Sequence, residues 1–314
     1  MSKPQLLPIL LAIVIVTMVF STRLAYAAEL RVVTSIKPIH SLVSSVMAGV
    51  GEPYLLVKGA GSPHNFSLRP TDARNLSKAD IVFWISKEIE VFLPKPLKTL
   101  ATSALVVELS KTPGLKLLAT RPQGNGQKSS KTPPVKPNVI DPHFWLDPDN
   151  AKRMVDEIVR KLSRADKSNA ARFAANGAAL KRELDTLTAE LSAKLAPVKS
   201  LPYIVFHDGY QYFEKRFDLK AIAAITPSPE RAPGARKINQ IRAKIMSERA
   251  VCVFTEPQFQ PEIVKTIIDK TPARIATLDP LGAEIPDGPA AYTTLLRSLA
   301  ASLVSCLRNE KNVQ

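Results

Sequence analysis

The chain is poor in the residues that most often carry out chemistry. Its 314 residues include only two cysteines and four histidines, and aromatic residues make up 6% of the sequence. Two cysteines cannot supply the Cys₄ or Cys₃His sites that hold structural zinc, and the HExxH segment of many zinc proteases is absent. These shortages exclude cysteine-rich structural zinc sites and HExxH zinc proteases. The four histidines are therefore the residues to consider first as metal ligands.

Acidic residues are also scarce. The chain has 28 Asp and Glu against 43 Lys and Arg, which gives a formal net charge of +15. A basic balance of this size can indicate a nucleic-acid partner or an anionic surface. The basic residues are spread over predicted helices and loops without interleaved aromatic residues. We therefore expect a solvated basic surface and no nucleic-acid partner.

The first 27 residues have the layout of a signal peptide. Lys3 precedes the apolar run LLPILLAIVIVTMVF, and small residues end the segment at Ala25-Tyr26-Ala27. An uncleaved membrane anchor is the alternative, but the run is short and is interrupted by Pro8 and Thr17. Because no cysteine lies near the cleavage site to carry a lipid, we expect residues 1–27 to be removed and the mature chain to be periplasmic.

The two cysteines lie in the last quarter of the chain. Cys252 falls in the apolar run AVCVF, and Cys306 falls in the helical pattern LLRSLAASLVSCL. In an oxidising compartment an even pair favours a disulfide, which here would join the final helix to a strand. Two buried free thiols are the alternative.

Short apolar runs alternate with helical patterns in two parts of the chain, residues 28–150 and 201–314, and the first part includes helices predicted from about residue 40 and over about residues 89–102. This alternation is typical of βα units with a central parallel sheet. Between them, residues 151–200 are helical, with a break near residues 164–168. One helical face is lined by Leu180, Leu184, Leu187, Leu191 and Leu195. The sequence predicts an α/β fold of two lobes joined by a single long connecting helix. A coiled-coil dimer seam is disfavoured because the heptads are too few, and we expect a monomer.

Residues 121–138 read RPQGNGQKSSKTPPVKPN and contain no apolar period. This composition predicts a basic surface loop within the first lobe. The loop holds neither histidine nor acidic residues, so we do not expect it to bind metal itself.

Three of the four histidines follow short apolar runs, in SPHNF (His64), DPHFWLDP (His143) and VFHDGY (His207). Histidine is the commonest metal ligand, and ligands in open α/β sheets lie beyond the carboxyl ends of the strands. Glu256 and Asp279 also fall at such ends. The pattern suggests a zinc site in the cleft between the lobes, and histidines that are ordinary hydrogen-bonded polar groups are the alternative. The fourth histidine, His40, lies near the start of the first helix, and we expect a helix-terminal or surface position for it.

Several segments together resemble one family. SPHNFSLRPTDARNLSKADIVFWI, HFWLDP, YIVFHDGYQYFEKRF, VCVFTEPQF and TLDPLG are similar, in this order, to the motifs of the ABC-transporter substrate-binding proteins for zinc and manganese. The resemblance runs from about residue 32 to residue 306 and is closest to the periplasmic zinc-uptake proteins of the ZnuA type.

The resemblance implies that His64, His143 and His207 are zinc ligands and that Asp279 lies near the fourth position, which water or Asp279 would fill. Glu256 is either a partner that orients an imidazole or a structural acceptor of backbone hydrogens. In manganese-binding relatives a glutamate matches His207. This chain departs from some zinc-binding relatives because it has Pro63 where they carry a glutamate before the first ligand. Its basic loop also differs from the His- and acid-rich loop of many zinc-binding members.

The expected function is therefore that of a non-enzymatic carrier. It would capture Zn²⁺ as cargo in the periplasm and deliver it to an inner-membrane ABC permease and its ATPase. Manganese or iron as cargo is the alternative within the family. A periplasmic zinc hydrolase, with Glu256 or Asp279 as general base, is the alternative from another class.

Overall fold

A computed structural model describes residues 30–121, 139–226, 233–259 and 262–309. The predicted signal peptide and nearly all of the predicted basic loop lie outside the described residues. Within them, no helix is both long and apolar enough to cross a lipid bilayer.

The first lobe contains a four-stranded parallel sheet in the order β2-β1-β3-β4. Its strands are β1 (Val32–Ile36), β2 (Tyr54–Val57), β3 (Ile81–Trp84) and β4 (Leu105–Glu108). The helices α1 (Lys37–Met47), α2 (Pro70–Lys78) and α3 (Pro94–Thr99) alternate with these strands. All residues of β1 and β3 are buried, as expected of a parallel sheet that is covered on both faces.

Two helices in this lobe differ from the sequence prediction, and prolines account for both differences. The first helix begins at Lys37 rather than near His40, because Pro38 in its first turn has a backbone angle already suited to helix. A helix predicted over residues 89–102 is confined to Pro94–Thr99. Pro94 and Pro96 both lie in the first turn of this helix, where a backbone N–H has no intrahelical acceptor, so the two prolines favour a helix start at this point.

Two helices follow the first lobe. Helix α4 (Pro148–Ala165) and helix α5 (Ala170–Leu195) pack against each other on either side of a short break, which the sequence predicted. The 26 residues of α5 span about 39 Å. The predicted leucine face is buried throughout: Leu180, Leu184, Leu187, Leu191 and Leu195. This face packs against α1 of the first lobe and against the final helix of the second, so α5 joins the two lobes as predicted.

The second lobe repeats the plan of the first, with a parallel sheet in the order β6-β5-β7-β8. Its strands are β5 (Tyr203–His207), β6 (Ala223–Thr226), β7 (Cys252–Thr255) and β8 (Arg274–Thr277). Its helices are α6 (Gln211–Phe217), α7 (Ala235–Ser247), α8 (Glu262–Ile268) and α9 (Ala291–Arg308). The predicted disulfide is present between Cys252 at the start of β7 and Cys306 in α9.

Buried contacts also join the lobes near the cleft. The indole Nε1 of Trp145 donates to the carbonyl of Pro280 at 3.0 Å, and the Tyr292 hydroxyl donates to the carbonyl of Trp145 at 2.6 Å. The Lys37 ammonium group donates to the carbonyl of Ile285 at 2.5 Å. These contacts fix the carboxyl ends of the two sheets on opposite sides of one narrow cleft.

Candidate metal centre

The structure brings His64, His143 and His207 together in the cleft. One nitrogen of each ring lies within 4.8 Å of the others. The Nε2 atoms of His143 and His207 are 3.2 Å apart. Two nitrogens bound tetrahedrally to one zinc ion at about 2.0–2.1 Å would be separated by about 3.3 Å. This pair is therefore spaced as a shared zinc ion requires.

Each histidine reaches the cleft from a different element. His64 lies in the loop between β2 and α2, His143 immediately precedes a 3₁₀ turn, Phe144–Leu146, and His207 is the last residue of β5. His143 and His207 are 5% and 3% exposed, and His64 is half-buried. Only the folded chain brings these residues together, since 143 positions separate the first from the last.

Asp141 orients the ring of His143. Its Oδ1 lies 2.8 Å from Nδ1 of that ring and also accepts from the His143 backbone N–H at 3.0 Å. Its Oδ2 accepts from Nε2 of Gln211 at 3.0 Å. A carboxylate can only accept here, so Nδ1 carries the proton and Nε2 keeps its lone pair for a metal. Asp141 is not among the site residues predicted from the sequence. Its position two residues before His143, in a turn begun by Asp-Pro, was the available signal.

Glu256 holds His207 in the same way. Its two oxygens lie 2.6 and 2.8 Å from Nδ1 of His207, so Nε2 is again the nitrogen turned toward the other histidines. Burial alone would lower the pKa of His207, but the charge and hydrogen bond of Glu256, together with the charges of Asp141 and Asp208, outweigh burial and the pKa is raised. Glu256 also accepts from the His207 backbone N–H at 3.4 Å, so its carboxylate makes the contacts of both roles that the sequence left open.

His64 is held in its neutral form. Its backbone N–H donates to the Ser62 hydroxyl at 3.4 Å. Burial and, to a smaller extent, the neighbouring imidazoles of His143 and His207 lower the pKa of His64 to about 2. A neutral imidazole offers a lone pair, which a protonated ring cannot. The His64 ring is therefore disposed to bind a cation.

The cavity around the three histidines is small. Its accessible volume is about 10 Å³, which is room for a single ion or water molecule. Trp145, Phe259 and Leu281 form apolar parts of its wall. Such a site favours an ion that has lost most of its water shell.

Asp279 is not a member of the three-histidine group. Its Oδ1 accepts from the Leu281 backbone N–H at 3.0 Å and from Nε2 of Gln258 at 2.8 Å, and its Oδ2 accepts from the Ala283 backbone N–H. Its carboxylate therefore organises the turn after β8. A direct bond from Asp279 to zinc stays a prediction.

His40 lies away from the cleft. It is 7% exposed within α1, and its Nε2 lies 3.1 Å from the carbonyl of Pro53. Of the two predicted positions, the surface one was therefore wrong, whereas the helix-terminal one agrees with the place of His40 in the first turn of α1. His40 links a helix to the loop that follows it, and burial lowers its pKa.

Comparisons with known proteins agree with this geometry. A family model described as the periplasmic component A of the zinc-uptake complex, ZnuA, matches residues 32–306. The chain belongs to the ZnuA family. The high-affinity zinc uptake system protein ZnuA of Brucella abortus is 46% identical over 304 residues, covering 88% of this chain and 91% of the relative. The protein of the same name from Yersinia pestis is 33% identical, covering 90% and 92% of the two chains.

A crystal structure of ZnuA has the same fold. It superposes with a TM-score of 0.74 at 25% identity, covering 88% of this chain and 99% of that one. The two-lobed α/β architecture predicted from sequence is thus confirmed. Membership of the ZnuA family makes this chain a zinc-binding solute-binding protein rather than an enzyme.

Proposed function

We propose that this protein captures Zn²⁺ in the periplasm and delivers it to an inner-membrane ABC permease with its ATPase. The observation that carries the proposal is the meeting of three imidazoles from distant segments, two of them with Nε2 atoms 3.2 Å apart. Membership of the ZnuA family supports delivery to such a transporter. The apolar segment followed by Ala25-Tyr26-Ala27 supports export.

In this proposal His64, His143 and His207 bind zinc through their Nε2 atoms. Asp141 and Glu256 fix the rings of His143 and His207 through the opposite nitrogen. Water or Asp279 occupies the fourth position. Because the ligands come from both lobes, the ion itself would link the lobes while it is bound.

Zinc is preferred over manganese as cargo because of the donor atoms. Three imidazole nitrogens suit zinc, whereas manganese prefers carboxylate, carbonyl and water oxygens in a six-coordinate shell. A cavity with an accessible volume of about 10 Å³ does not hold the waters that such a shell needs.

The hydrolase alternative finds little support in the site. Glu256 is engaged with His207, and Asp279 is engaged with two backbone N–H groups and Gln258. Neither carboxylate is therefore available as a general base.

A chelator-controlled competition between Zn²⁺ and Mn²⁺ tests the proposal. We expect zinc to bind with a stoichiometry of one and to displace manganese, and we expect His143→Ala to weaken zinc binding sharply. Tighter binding of manganese, or zinc binding unaffected by His143→Ala, would overturn the proposal. Zinc-dependent hydrolysis of esters or peptides would instead support the hydrolase.

We also propose that the lobes move little when zinc is released. A long helix, rather than flexible strands, joins the lobes, and buried contacts such as Trp145 to Pro280 hold the cleft. Structures with and without zinc should superpose closely, and a large hinge rotation would contradict this.

A further inference from the structure

The side chain of Gln258 lines the three-histidine cavity and has a fixed orientation. Its Nε2 donates to Oδ1 of Asp279 at 2.8 Å. An ionised carboxylate cannot donate, so the NH₂ end of the amide must face Asp279 and the carbonyl end must face away. Asp279 is itself held by the backbone N–H groups of Leu281 and Ala283. The turn after β8 therefore fixes the orientation of the Gln258 side-chain amide through Asp279.

The carbonyl end of this amide lacks a partner. Oε1 of Gln258 is buried and has no hydrogen-bond partner among the residues that the structure describes. A buried carbonyl oxygen without a donor is unfavourable, and native proteins rarely leave one in that condition. Gln258 lines the cavity that contains the three histidines, and its Oε1 is a hydrogen-bond acceptor whose orientation is fixed by the contact of Nε2 with Asp279.

A water molecule bound to zinc would be a suitable hydrogen-bond donor to Oε1 of Gln258. A zinc ion held by three imidazoles keeps a fourth position, which water commonly fills. Zinc withdraws electrons from that water and lowers its pKa, which makes its O–H groups strong donors. An amide oxygen is a harder ligand than imidazole, so it suits a hydrogen bond to the water better than a bond to zinc.

We propose that Oε1 of Gln258 accepts a hydrogen bond from a water molecule that is the fourth ligand of zinc. Asp279 then acts on the site through Gln258, by holding the amide, rather than by binding the metal. Gln258 is a positioning residue that helps to keep the ion four-coordinate. This inference rests on the proposed function, because it assumes that the three histidines bind zinc.

Two measurements test the inference together. The first is a chelator-competition titration of Gln258→Leu, which removes the amide and nearly keeps its volume. Loss of a side chain that supports the ligands of a metal typically weakens binding by about 10- to 100-fold, and we expect about 10-fold here. Gln240→Leu is the matched control, because Gln240 is exposed on α7, and it should bind zinc as the parent does. Zinc affinity in Gln258→Leu within twofold of the parent would overturn the proposal.

The second measurement is a crystal structure of the zinc-loaded parent, and it holds even if Gln258→Leu fails to fold. We expect a water on zinc within hydrogen-bond distance of Oε1. A bond from Asp279 to zinc, or a water that does not contact Gln258, would overturn the inference and leave the proposed function intact. Failure of the parent to bind zinc would instead overturn the proposed function. In zinc-loaded Gln258→Leu, the three imidazoles should stay in place while the water shifts or loses order, which a merely structural role would not produce.

Discussion

The two lobes share a plan but hold the site differently. Each has a four-stranded parallel sheet with the same relative strand order, β2-β1-β3-β4 and β6-β5-β7-β8. The first lobe supplies His64 and His143 from irregular segments, whereas the second supplies His207 from the last position of a buried central strand. The second lobe also contains the disulfide. Two lobes with the same fold therefore position their metal ligands in different ways.

The lobes also treat buried carboxyl groups differently. In the second lobe, Glu256 lies against His207, and Glu214 lies 2.6 Å from the Arg121 guanidinium. In the first lobe, Glu90 is fully buried and accepts from the backbone N–H groups of Ile85 and Ser86. Burial raises the pKa of Glu90 to about 7. Glu90 thus relies on backbone N–H groups, whereas Glu256 and Glu214 of the second lobe lie against an imidazole or a guanidinium group, as Asp141 of the first lobe lies against His143.

Removal of the disulfide should have the largest effect on stability. The bond closes a loop between residues 54 positions apart, and the chain-entropy estimate for such a loop is about 4 kcal/mol. We expect Cys252→Ala with Cys306→Ala to lower the free energy of unfolding in urea by about that amount. Zinc affinity should change little, since both cysteines lie outside the cleft. If the free energy of unfolding is unchanged, the disulfide does not give the second lobe a stability that the first lobe lacks.

Loss of a histidine from either lobe should abolish tight binding if the lobes share one ion. We expect His64→Ala and His207→Ala each to weaken zinc affinity by more than the roughly 100-fold that loss of an orienting partner can cost. His40→Ala is the matched control, because His40 is a buried histidine of the first lobe outside the group. Competition titration measures all three. If either variant keeps nearly full affinity, one lobe alone holds the metal.

Glu90 should make the stability of the metal-free protein depend on pH. Its pKa is raised in the folded state, so its contribution is fully present below about pH 4.5 and is lost as pH rises through about 7. The expected loss is on the order of 3 kcal/mol. Denaturant unfolding at pH 5 and pH 8 should show a smaller difference for Glu90→Gln than for the parent. Glu88→Gln, an exposed neighbour, is the control, and equal differences in all three proteins would refute the assignment.

Asp141 and Glu256 offer the closest comparison between the lobes. Asp141→Asn and Glu256→Gln should each weaken zinc binding by about 10- to 100-fold, because each leaves one imidazole less well oriented. The zinc affinities of the two variants should depend on pH to different extents. Because Glu256 raises the pKa of His207, protons compete with zinc at this ring at a higher pH than they would without it.

Between about pH 7.5 and 5.5 the parent should therefore lose affinity, and Glu256→Gln should lose less of its remaining affinity over that interval. Zinc titrations at the two pH values test this. A parent affinity independent of pH would argue against histidine ligation altogether.

Much of the fold could be predicted because the signals are local. The alternation of apolar runs with helical patterns gave two parallel sheets, and the leucine spacing of α5 gave its buried face. The location of His207 and Glu256 at strand ends placed them at one edge of a sheet. Helix boundaries were less certain, and the helix around Pro94 and Pro96 was predicted too long because apolar residues on both sides masked the effect of the prolines.

The finer parts of the site depend on contacts between segments. Asp141 bonds His143 because the chain turns back at Pro142, and the spacing of two residues does not by itself show that turn. Asp279 lies near the cleft as expected, but the backbone N–H groups that hold its carboxylate belong to a turn with no distinct sequence pattern. Nothing in the sequence indicated the orientation of Gln258, since its direction is set by Asp279.

The most direct test of the three-histidine zinc site is X-ray absorption at the zinc edge, with the protein loaded with one equivalent of Zn²⁺. Imidazole rings give a characteristic multiple-scattering pattern that allows them to be counted. We expect one four-coordinate zinc ion per chain with three imidazole nitrogens at about 2.0–2.1 Å, and loss of one imidazole in His143→Ala. A zinc shell with fewer than three imidazoles, or a shell unchanged by His143→Ala, would contradict it.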